Sequence, residues 1–395
     1  MKAIVFQGQS QYDVLRTFSS FYTQQLQEYG IEAITCDMNI IDSKMYLELV
    51  EKMKPDFTIG FNPVTYFYEN NLNHYQKTKI PHIVKLGDNP FYHVFQRALK
   101  NPNDPYVFTV APQKTYQYSF NELGVERFCI SSHNYAQTNY KVGFNNKIFP
   151  TVFFGSFTYP ESILLKLKEV TNSNQIYKIV NDFCFLIKEI VVNMKELLSE
   201  PIEIFFSNYL EKEYKLEKNQ ITKLTLQVFY YIDSYYRNLV RQVVLTEFAK
   251  EGLEMIVFGR EDTEKLLSEY SNVKIQQPIN YHEYINVLSQ SKVSVNITPM
   301  FQSSHERIPT TLFNSTVLCT NIMDDLIQNN PGILESSIFY NLSNLKETVN
   351  AIKEVSENEN VYQELIDKGL ILAKQNFTFE RDIKLMLDIY QRYFN

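Results

Sequence analysis

Tryptophan is absent from this 395-residue sequence, cysteine is rare, and no apolar run approaches the length of a membrane helix. A membrane helix needs about 20 consecutive apolar residues, so we expect no membrane span. The short apolar start at residues 2–6 gives way to polar residues and predicts a strand rather than a signal peptide. The four cysteines are widely spaced and form no C-x-x-C pair: Cys36, Cys129, Cys184 and Cys319. This spacing favours buried thiols in a reducing cytoplasm over disulfides or zinc.

The sequence also lacks a basic charge excess and a glycine-rich phosphate motif. Its formal net charge is −7, from 38 basic and 45 acidic residues. A protein of this charge does not attract nucleic acid or anionic membranes electrostatically, so we expect neither as a partner. None of its 11 glycines forms G-x-G-x-x-G, so the dinucleotide fingerprint is missing. A hydrophobic content of 44% is typical of a globular protein, and the length suits two domains.

Residues 1–146 alternate strand and helix patterns, as in a Rossmann-like domain. Gly8 follows the first strand, Asp88 follows a later one, and His93 lies about one turn beyond Asp88. Polar residues after the strands of an open α/β sheet face a ligand crevice, so these three are candidate site residues. The alternative is structural: ordinary turns would account for Gly8 and Asp88, and packing within the fold would account for His93.

Residues 147–375 alternate in the same way and predict a second Rossmann-like domain. Gly155 and Ser156 follow its first strand, and Arg260 follows a later strand. A glycine here allows the backbone to approach a ligand closely, because it has no Cβ atom. Tyr281 starts a helix that follows another short strand.

A helical insertion is predicted at about 160–250, and a final amphipathic helix at 376–395. The apolar spacing of the insertion favours packing beside the second sheet. An acceptor groove and a homodimer interface are the alternative uses.

The most informative stretch, residues 293–321, reads as strand, polar loop, short helix and strand. Pro309 suits the first turn of the helix, so we predict that the helix opens there. His305, Glu306 and Arg307 then lie beyond the end of a parallel strand, where open sheets bind nucleotides. Arg307 offers a fork for a diphosphate, and the N–H groups of Thr310 and Thr311 can join it. An exposed ion pair of Glu306 with a neighbouring cation is the simpler alternative.

A strand ending in Asn-x-x-Pro, the run Ser-x-His-Glu-Arg, a short helix and a return strand resemble the nucleotide-sugar half of GT-B glycosyltransferases. The chain is most similar, over residues 258–390, to CgeB-like spore-maturation glycosyltransferases. Their pattern runs approximately Arg-x-x-Glu-Ala, a small residue, a few apolar residues and Asp. Arg307, Ser315 and Asn321 match it, whereas Thr310 and Thr311 stand where Glu-Ala is usual.

This resemblance implies an α/β fold of two Rossmann-like domains facing across a cleft, with the final helix crossing back to the first domain. It implies transfer of a hexosyl group from a nucleotide diphosphate sugar to a glycan, protein or small-molecule acceptor. Asp-x-Asp, the metal-holding motif of the other large glycosyltransferase fold, is absent. We therefore expect no metal and no further cofactor, with arginines neutralising the leaving diphosphate.

The resemblance assigns candidate roles to the residues introduced above. The donor-binding candidates are Gly8, Gly155, Ser156, Arg260, Tyr281, His305, Glu306, Arg307, Thr310 and Thr311. Catalytic candidates are Asp88, then His93, as a base for an inverting reaction, and Glu306. In this family the Glu of the pattern commonly binds the donor ribose. Thr310 stands at that position here, so Glu306 is predicted to bind the ribose instead.

Two other functions fit the same architecture. A nucleotide-sugar epimerase needs an acid and a base near the sugar, and His305 with Glu306 could serve. A non-catalytic nucleotide-sugar-binding protein is the second alternative, because Thr310 replaces the usual Glu.

Overall fold

The computed structural model describes residues 1–7, 13–37, 39–62, 68–69, 72–93, 103–131 and 141–395. The chain divides into two compact units. One consists of Met1–Ala136 and Asn376–Asn395, and the other of Gln137–Gln375. No helix in the described ranges combines the length and the apolar character that crossing a membrane requires.

The first unit is built on a parallel sheet of six strands in the order β2-β1-β3-β6-β7-β8. Its central strands are short apolar runs buried on both faces, as parallel sheets covered by helices require. The strands of this unit are β1 Lys2–Gln7, β2 Glu32–Asp37, β3 Phe57–Phe61, β4 Tyr68–Glu69, β5 Leu72–Asn73, β6 His82–Lys85, β7 Val107–Ala111 and β8 Phe128–Ile130. Strands β4 and β5 pair antiparallel as a separate two-stranded sheet.

Short helices connect these strands. They are α1 Val14–Glu28, α2 Ser43–Met53, α3 His74–Thr78 and α4 Tyr116–Leu123, with a 3₁₀ turn at Pro90–His93. Gly30 follows α1 with a φ of +75°, a left-handed conformation that favours glycine.

The second unit holds another parallel sheet of six strands, in the order β11-β10-β9-β12-β13-β14. Its strands are β9 Phe149–Phe154, β10 Met255–Phe258, β11 Val273–Gln276, β12 Ser291–Asn296, β13 Val317–Asn321 and β14 Ser337–Tyr340. From β9 the chain adds β10 and β11 on one side, then returns to the other side of β9 to add β12, β13 and β14. The strand order therefore reverses between β9 and β12, and ligands bind at such switch points in open α/β sheets.

Helices fill the connection between β9 and β10, as the sequence predicts. They are α5 Pro160–Val170, α6 Asn174–Lys188, α7 Ile202–Tyr214 and α8 Lys218–Lys250, with a π-helical segment at Glu189–Met194. The remaining helices of this unit are α9 Glu261–Leu267, α10 Tyr281–Ser289, α11 Arg307–Phe313, α12 Asp324–Asn329, α13 Leu345–Glu357 and α14 Glu359–Asn376. Two 3₁₀ turns lie at Phe144–Asn146 and Pro331–Glu335.

Helix α11 corrects one prediction, because it begins at Arg307 rather than at Pro309. Pro309 occupies the third helical position, still within the first turn, where proline is tolerated. Glu306 is consequently the residue that caps the helix, and its carbonyl oxygen accepts from the N–H of Thr310. The N–H of Thr310 is therefore part of the helix and does not point out of its first turn.

The last helix, α15 Phe379–Phe394, belongs to the first unit and is held there by a buried polar cluster. The Nζ of Lys85, on β6, donates to the carboxylate of Asp382 and to the hydroxyl of Tyr22 on α1. The side chains of Lys85 and Asp382 are 6% and 0% exposed. Burial lowers the pKa of Lys85 and raises that of Asp382, because it disfavours both charges. Their mutual contact is what makes burying them tolerable.

Candidate functional site

The switch point of the second sheet brings together two segments predicted to form the site. Gly155 and Ser156 directly follow β9, and the loop ending in His305, Glu306 and Arg307 follows β12. Strands β9 and β12 are paired, with Val295 opposite Phe153, so these segments leave adjacent strand ends. The sequence thus correctly places Gly155, Ser156 and Arg307 at one edge of one sheet.

Arg307 connects the two segments directly. Its Nη1 donates to the carbonyl oxygen of Phe154 at 2.6 Å, so the guanidinium lies against the backbone that leads into Gly155. A Cβ atom on Gly155 would lie 2.8 Å from the ring of Phe153, so this position requires glycine if the ring is not to move. The side chain of Arg307 remains 26% exposed, and a guanidinium has five N–H donors, so donors remain for an anion.

His305, Glu306 and Arg307 form a compact charged group. The Nδ1 of His305 lies 2.7 Å from Oε2 of Glu306, and the Nε of Arg307 lies 4.0 Å from Oε1 of the same carboxylate. The ring of His305 also packs edge-on against Phe301, with a centroid distance of 4.6 Å. The three side chains are only 15–26% exposed, so this group is more buried than a solvated surface ion pair. Glu306 can hold a proton on Nδ1 of His305 and thereby fix the tautomer of the ring.

Three of the predicted donor-binding residues have buried side chains that contact the interior of the fold: Tyr281, Thr310 and Thr311. Thr310 is fully buried; its hydroxyl donates to the carbonyl oxygen of Glu306 at 2.7 Å and lies 3.4 Å from the hydroxyl of Tyr281. Thr311 and Tyr281 are 1% and 4% exposed. These side chains support α11 from within the fold. A Thr310→Glu change would bury a carboxylate there and is expected to destabilise the unit rather than restore ribose binding.

The loop after β12 is anchored by buried amide side chains. The Nδ2 of Asn296 donates to the hydroxyls of Thr298 and Thr320, each at 3.0 Å. The Oδ1 of Asn321 accepts from the N–H of Thr298 at 3.1 Å. Asn321, which takes the place of the family's Asp, thus helps to fix the start of the loop that carries Arg307. A fixed loop loses less conformational freedom when a ligand binds.

Arg260 lies at the end of β10, on the other side of β9. The register pairs Phe258 with Phe154, so Arg260 and Ser156 follow neighbouring strand ends. Arg260 is exposed and caps the start of α9 with its carbonyl oxygen, which accepts from the N–H of Thr263 at 2.8 Å. Its contact with a phosphate stays a prediction.

The acid–base candidates Asp88 and His93 belong to the first unit. Asp88 is exposed on the turn after β6, and its Oδ2 accepts from Nδ2 of Asn62 at 3.1 Å. Asn62 also accepts from the N–H of Gly87 at 2.7 Å, so one amide orients the whole turn. His93 is 8% exposed, at the end of the 3₁₀ turn Pro90–His93. Gly8, the third candidate from this half, lies outside the described residues.

Sequence reasoning missed an arginine that α8 brings to the switch point. The Nη1 of Arg241 donates to the carbonyl oxygen of Ser156 at 2.7 Å. Arg237, one turn earlier, pairs with the buried carboxylate of Asp233 at 2.8 Å. Charged residues recur every four positions at 233, 237 and 241 along an otherwise apolar stretch, and that spacing was the available signal.

No group of three or more His, Cys, Asp or Glu side chains is arranged as a metal site within the residues that the structure describes. Arg241 and Arg307 place guanidinium groups beside the end of β9. The metal-free mechanism stays a prediction.

Comparison with known proteins gives a likeness in structure only. No family model matches the sequence, and no curated protein matches it. An alpha-glucosyltransferase in complex with UDP and a DNA containing an HMU base is similar, with 12% identity, a TM-score of 0.61, and coverage of 99% of this chain and 100% of the other. The alpha-glucosyltransferase in complex with UDP-glucose and DNA containing an abasic site matches at 11% identity and a TM-score of 0.61, covering 99% of each chain.

Sucrose-phosphate synthase from Thermosynechococcus elongatus is similar at 10% identity and a TM-score of 0.55, covering 100% of this chain and 98% of the other. These structures are GT-B glycosyltransferases, and the likeness extends over both units. Together with the two parallel six-stranded sheets, it shows that the chain has the GT-B fold that the sequence predicts.

Proposed function

We propose that this protein is a glycosyltransferase that takes a sugar from a nucleotide diphosphate donor, with UDP-glucose as the first donor to test. The observation that carries the proposal is Arg307 placed against the backbone entering Gly155, at the switch point of a GT-B sheet. The structural neighbours that hold UDP and UDP-glucose support the choice of donor. A closer relationship to CgeB-like glycosyltransferases is part of the same proposal and rests on Arg307, Ser315 and Asn321.

In this reaction the bond between the sugar and the diphosphate breaks, and negative charge develops on the leaving diphosphate. Arg307 can neutralise that charge through its exposed N–H groups, aided by Arg260. Asp88 is the proposed base that takes the proton from the acceptor hydroxyl if the configuration inverts, since it is exposed and oriented by Asn62. The acceptor is proposed to be a glycan, a protein or a small molecule, and the enzyme to work without a metal in the cytoplasm.

An epimerase is the second candidate, favoured by the 2.7 Å contact between His305 and Glu306. One experiment separates the functions. The purified chain is incubated with UDP-glucose and other nucleotide sugars, and free nucleotide and sugar configuration are measured. Release of UDP supports transfer or its hydrolytic side reaction, whereas an epimerised sugar supports the second candidate. Saturable binding with an unchanged donor would instead indicate a binding protein.

Glu306 provides a test of how the ribose is held. If its carboxylate accepts from the ribose hydroxyls, Glu306→Gln weakens UDP binding by about ten-fold or more, since a hydrogen bond to a charged group contributes roughly 1.5–3 kcal/mol. The 2′-deoxy form should lose much less, because it offers one hydroxyl fewer. Calorimetric titration of both nucleotides against both proteins checks this. Indistinguishable losses for the two nucleotides would instead assign Glu306 to its contacts with His305 and Arg307.

A further inference from the structure

A buried lysine lies where two helices of the second unit end. Lys147 precedes β9 by two positions and is 7% exposed. Its Nζ donates to the carbonyl oxygen of Ser289, the last residue of α10, at 2.7 Å. It also donates to the carbonyl oxygen of Ser315, two residues beyond α11, at 2.5 Å. One ammonium group therefore joins the C-terminal ends of α10 and α11.

These helix ends suit a cation. The last carbonyl groups of a helix have no N–H partner within it, so the C-terminal end carries a partial negative charge. Among the residues that the structure describes, the partners of Lys147 are the two carbonyl groups and the ring of Tyr362, whose centroid lies 5.8 Å from Nζ. The charge of this buried lysine is thus offset by helix ends.

The turn after α11 is held in an uncommon backbone conformation. Ser315 has a φ of +50°, in the left-handed region that is unfavourable for a residue with a Cβ atom. Its carbonyl oxygen accepts from the hydroxyl of Tyr362 at 2.5 Å as well as from Lys147. The hydroxyl of Thr316 donates to the carbonyl oxygen of Leu288 at 2.6 Å and adds a further contact between the two helix ends. Side chains therefore fix this turn, and Lys147 contributes a positive charge to it.

The opposite ends of these helices carry predicted donor-binding residues. Helix α10 begins at Tyr281 and has 9 residues, and α11 begins at Arg307 and has 7. At about 1.5 Å per residue, each spans roughly 10–14 Å. The hydroxyl of Tyr281 lies 3.4 Å from that of Thr310, so the helices also meet away from Lys147. A change at one end of such packed helices can be transmitted to the other end.

We propose that Lys147 is a positioning residue for the donor site: its ammonium group ties the C-terminal ends of α10 and α11 together and thereby fixes the starts of both helices. Lys147 acts through the helices and not by contact with the donor. The identity of the ligand rests on the proposed function, whereas the contacts of Lys147 do not. Donor affinity then depends on the charge of a residue outside the site.

That charge is sensitive to pH. Burial lowers the pKa of Lys147 from 10.5 to about 7. Burial raises the pKa of Tyr362, which therefore stays neutral, and lowers that of Lys292, with Glu357 opposing the shift. The titratable groups on the surrounding elements are Tyr362 on α14, Lys292 on β12, Glu357 at the end of α13 and Glu359 at the start of α14. Lys147 loses its positive charge as the pH rises above about 7.

Calorimetric titration of UDP into the full-length protein at about pH 6 tests the positioning role, because Lys147 is charged there. Lys147→Met is expected to weaken UDP binding about two- to thirty-fold, the usual range for a residue that acts on a site through packed elements. Lys353→Met is the matched control, since the Nζ of Lys353 donates at 2.9 Å to the carbonyl oxygen of Glu251, just beyond α8. It should bind UDP as the wild type does. Unchanged binding by Lys147→Met would overturn the proposal.

Lys147→Arg gives a readout that a mere packing role does not change. An arginine keeps its charge at about pH 9, so wild-type affinity for UDP should fall between about pH 6 and pH 9 relative to this variant. Lys147→Met has no ammonium to lose and should lack the same fall, which preserves the comparison if the arginine variant folds poorly. Protons on UDP itself are common to all three proteins. Parallel pH profiles for the wild type and both variants would contradict the role of the charge.

Stability should change in the opposite direction. The pKa of Lys147 is lower in the folded protein than in the unfolded chain, so the unfolded chain binds more protons between about pH 7 and 10.5. The free energy of unfolding of the wild type should therefore rise through this range relative to Lys147→Met, as measured by urea unfolding. A fall in affinity that accompanies this rise cannot come from unfolding. Affinity and stability that fall together would overturn the proposal.

Hydrogen exchange without ligand separates the positioning role from the proposed function. At equal pH, the amides of α10 and α11 should lose protection in Lys147→Met but not in Lys353→Met. Lost protection in a chain whose wild type binds no nucleotide would support the positioning of the helices and contradict the nucleotide donor. UDP binding and amide protection that are both independent of Lys147 would overturn the positioning role and leave the proposed function standing.

Discussion

Arg307→Ala is expected to weaken UDP binding by roughly 10- to 150-fold while leaving uridine binding nearly unchanged. This range corresponds to the roughly 1.5–3 kcal/mol of a hydrogen bond to a charged group. Arg307 is half-buried and lies against the carbonyl oxygen of Phe154, so its guanidinium is already positioned before the ligand arrives. Turnover with a donor sugar should fall at least as much, because the charge on the leaving group grows as the bond breaks.

The control separates lost phosphate contact from lost structure, since Arg307 also holds the backbone before Gly155. Arg307→Lys keeps the charge but loses the planar fork, and we expect an intermediate affinity at an unchanged melting temperature. Titrations of UDP and uridine against wild type, Arg307→Lys and Arg307→Ala give the comparison. Equal weakening of the two ligands in a normally folded variant would place Arg307 away from the diphosphate.

The sequence predicts the donor side of the site better than the details within it. A β-branched run before the loop and another after α11 are local signals, and they correctly place Arg307 at the end of a parallel strand. The start of α11 is less visible, because proline is accepted at several positions of a first turn. The difference of two residues matters, because a helix that begins at Arg307 already includes the N–H of Thr310. The side chain of Thr310 is buried and supports the helix.

Arg241 shows why the rest could not be predicted. It lies 85 residues from Ser156 in the sequence, on a helix whose apolar spacing indicates ordinary packing. Periodicity shows which face of a helix is buried but not what that face meets. The repeat of charge at 233, 237 and 241 marks the helix as unusual, yet only the tertiary structure shows that Ser156 is the partner.

The buried pair of Lys85 and Asp382 is a more extreme case, because its partners are 297 positions apart in the sequence. Lys85 ends a strand, and Asp382 lies in the first turn of an amphipathic helix where acidic residues are common. Each residue thus has an ordinary local explanation. The pairing appears only when α15 packs in the first unit, where Phe379 also contacts the ring of Tyr22 at 5.6 Å.

Breaking this pair is expected to have the largest effect on stability of any single substitution proposed for this chain. Asp382→Ala removes the carboxylate that accepts from the buried Nζ of Lys85, whose contact with the hydroxyl of Tyr22 remains. Removing one member of a buried pair typically lowers the free energy of unfolding by about 3–5 kcal/mol. Urea unfolding followed by circular dichroism measures the loss, and hydrogen exchange should show that it is concentrated in α15 and the strands beneath it.

Two matched variants decide whether the loss comes from an uncompensated buried charge. Asp388→Ala removes an exposed carboxylate from the same helix, 59% exposed and paired with Arg392, and should change stability by no more than about 0.5 kcal/mol. Replacing the whole cluster with apolar residues, as Tyr22→Phe, Lys85→Met and Asp382→Leu together, should recover most of the loss. Such replacements are often neutral or stabilising, and Oδ1 of Asp382 is already buried without a hydrogen-bond donor in the described part of the chain. If Asp382→Ala were as mild as Asp388→Ala, the pair would not be what holds α15 in place.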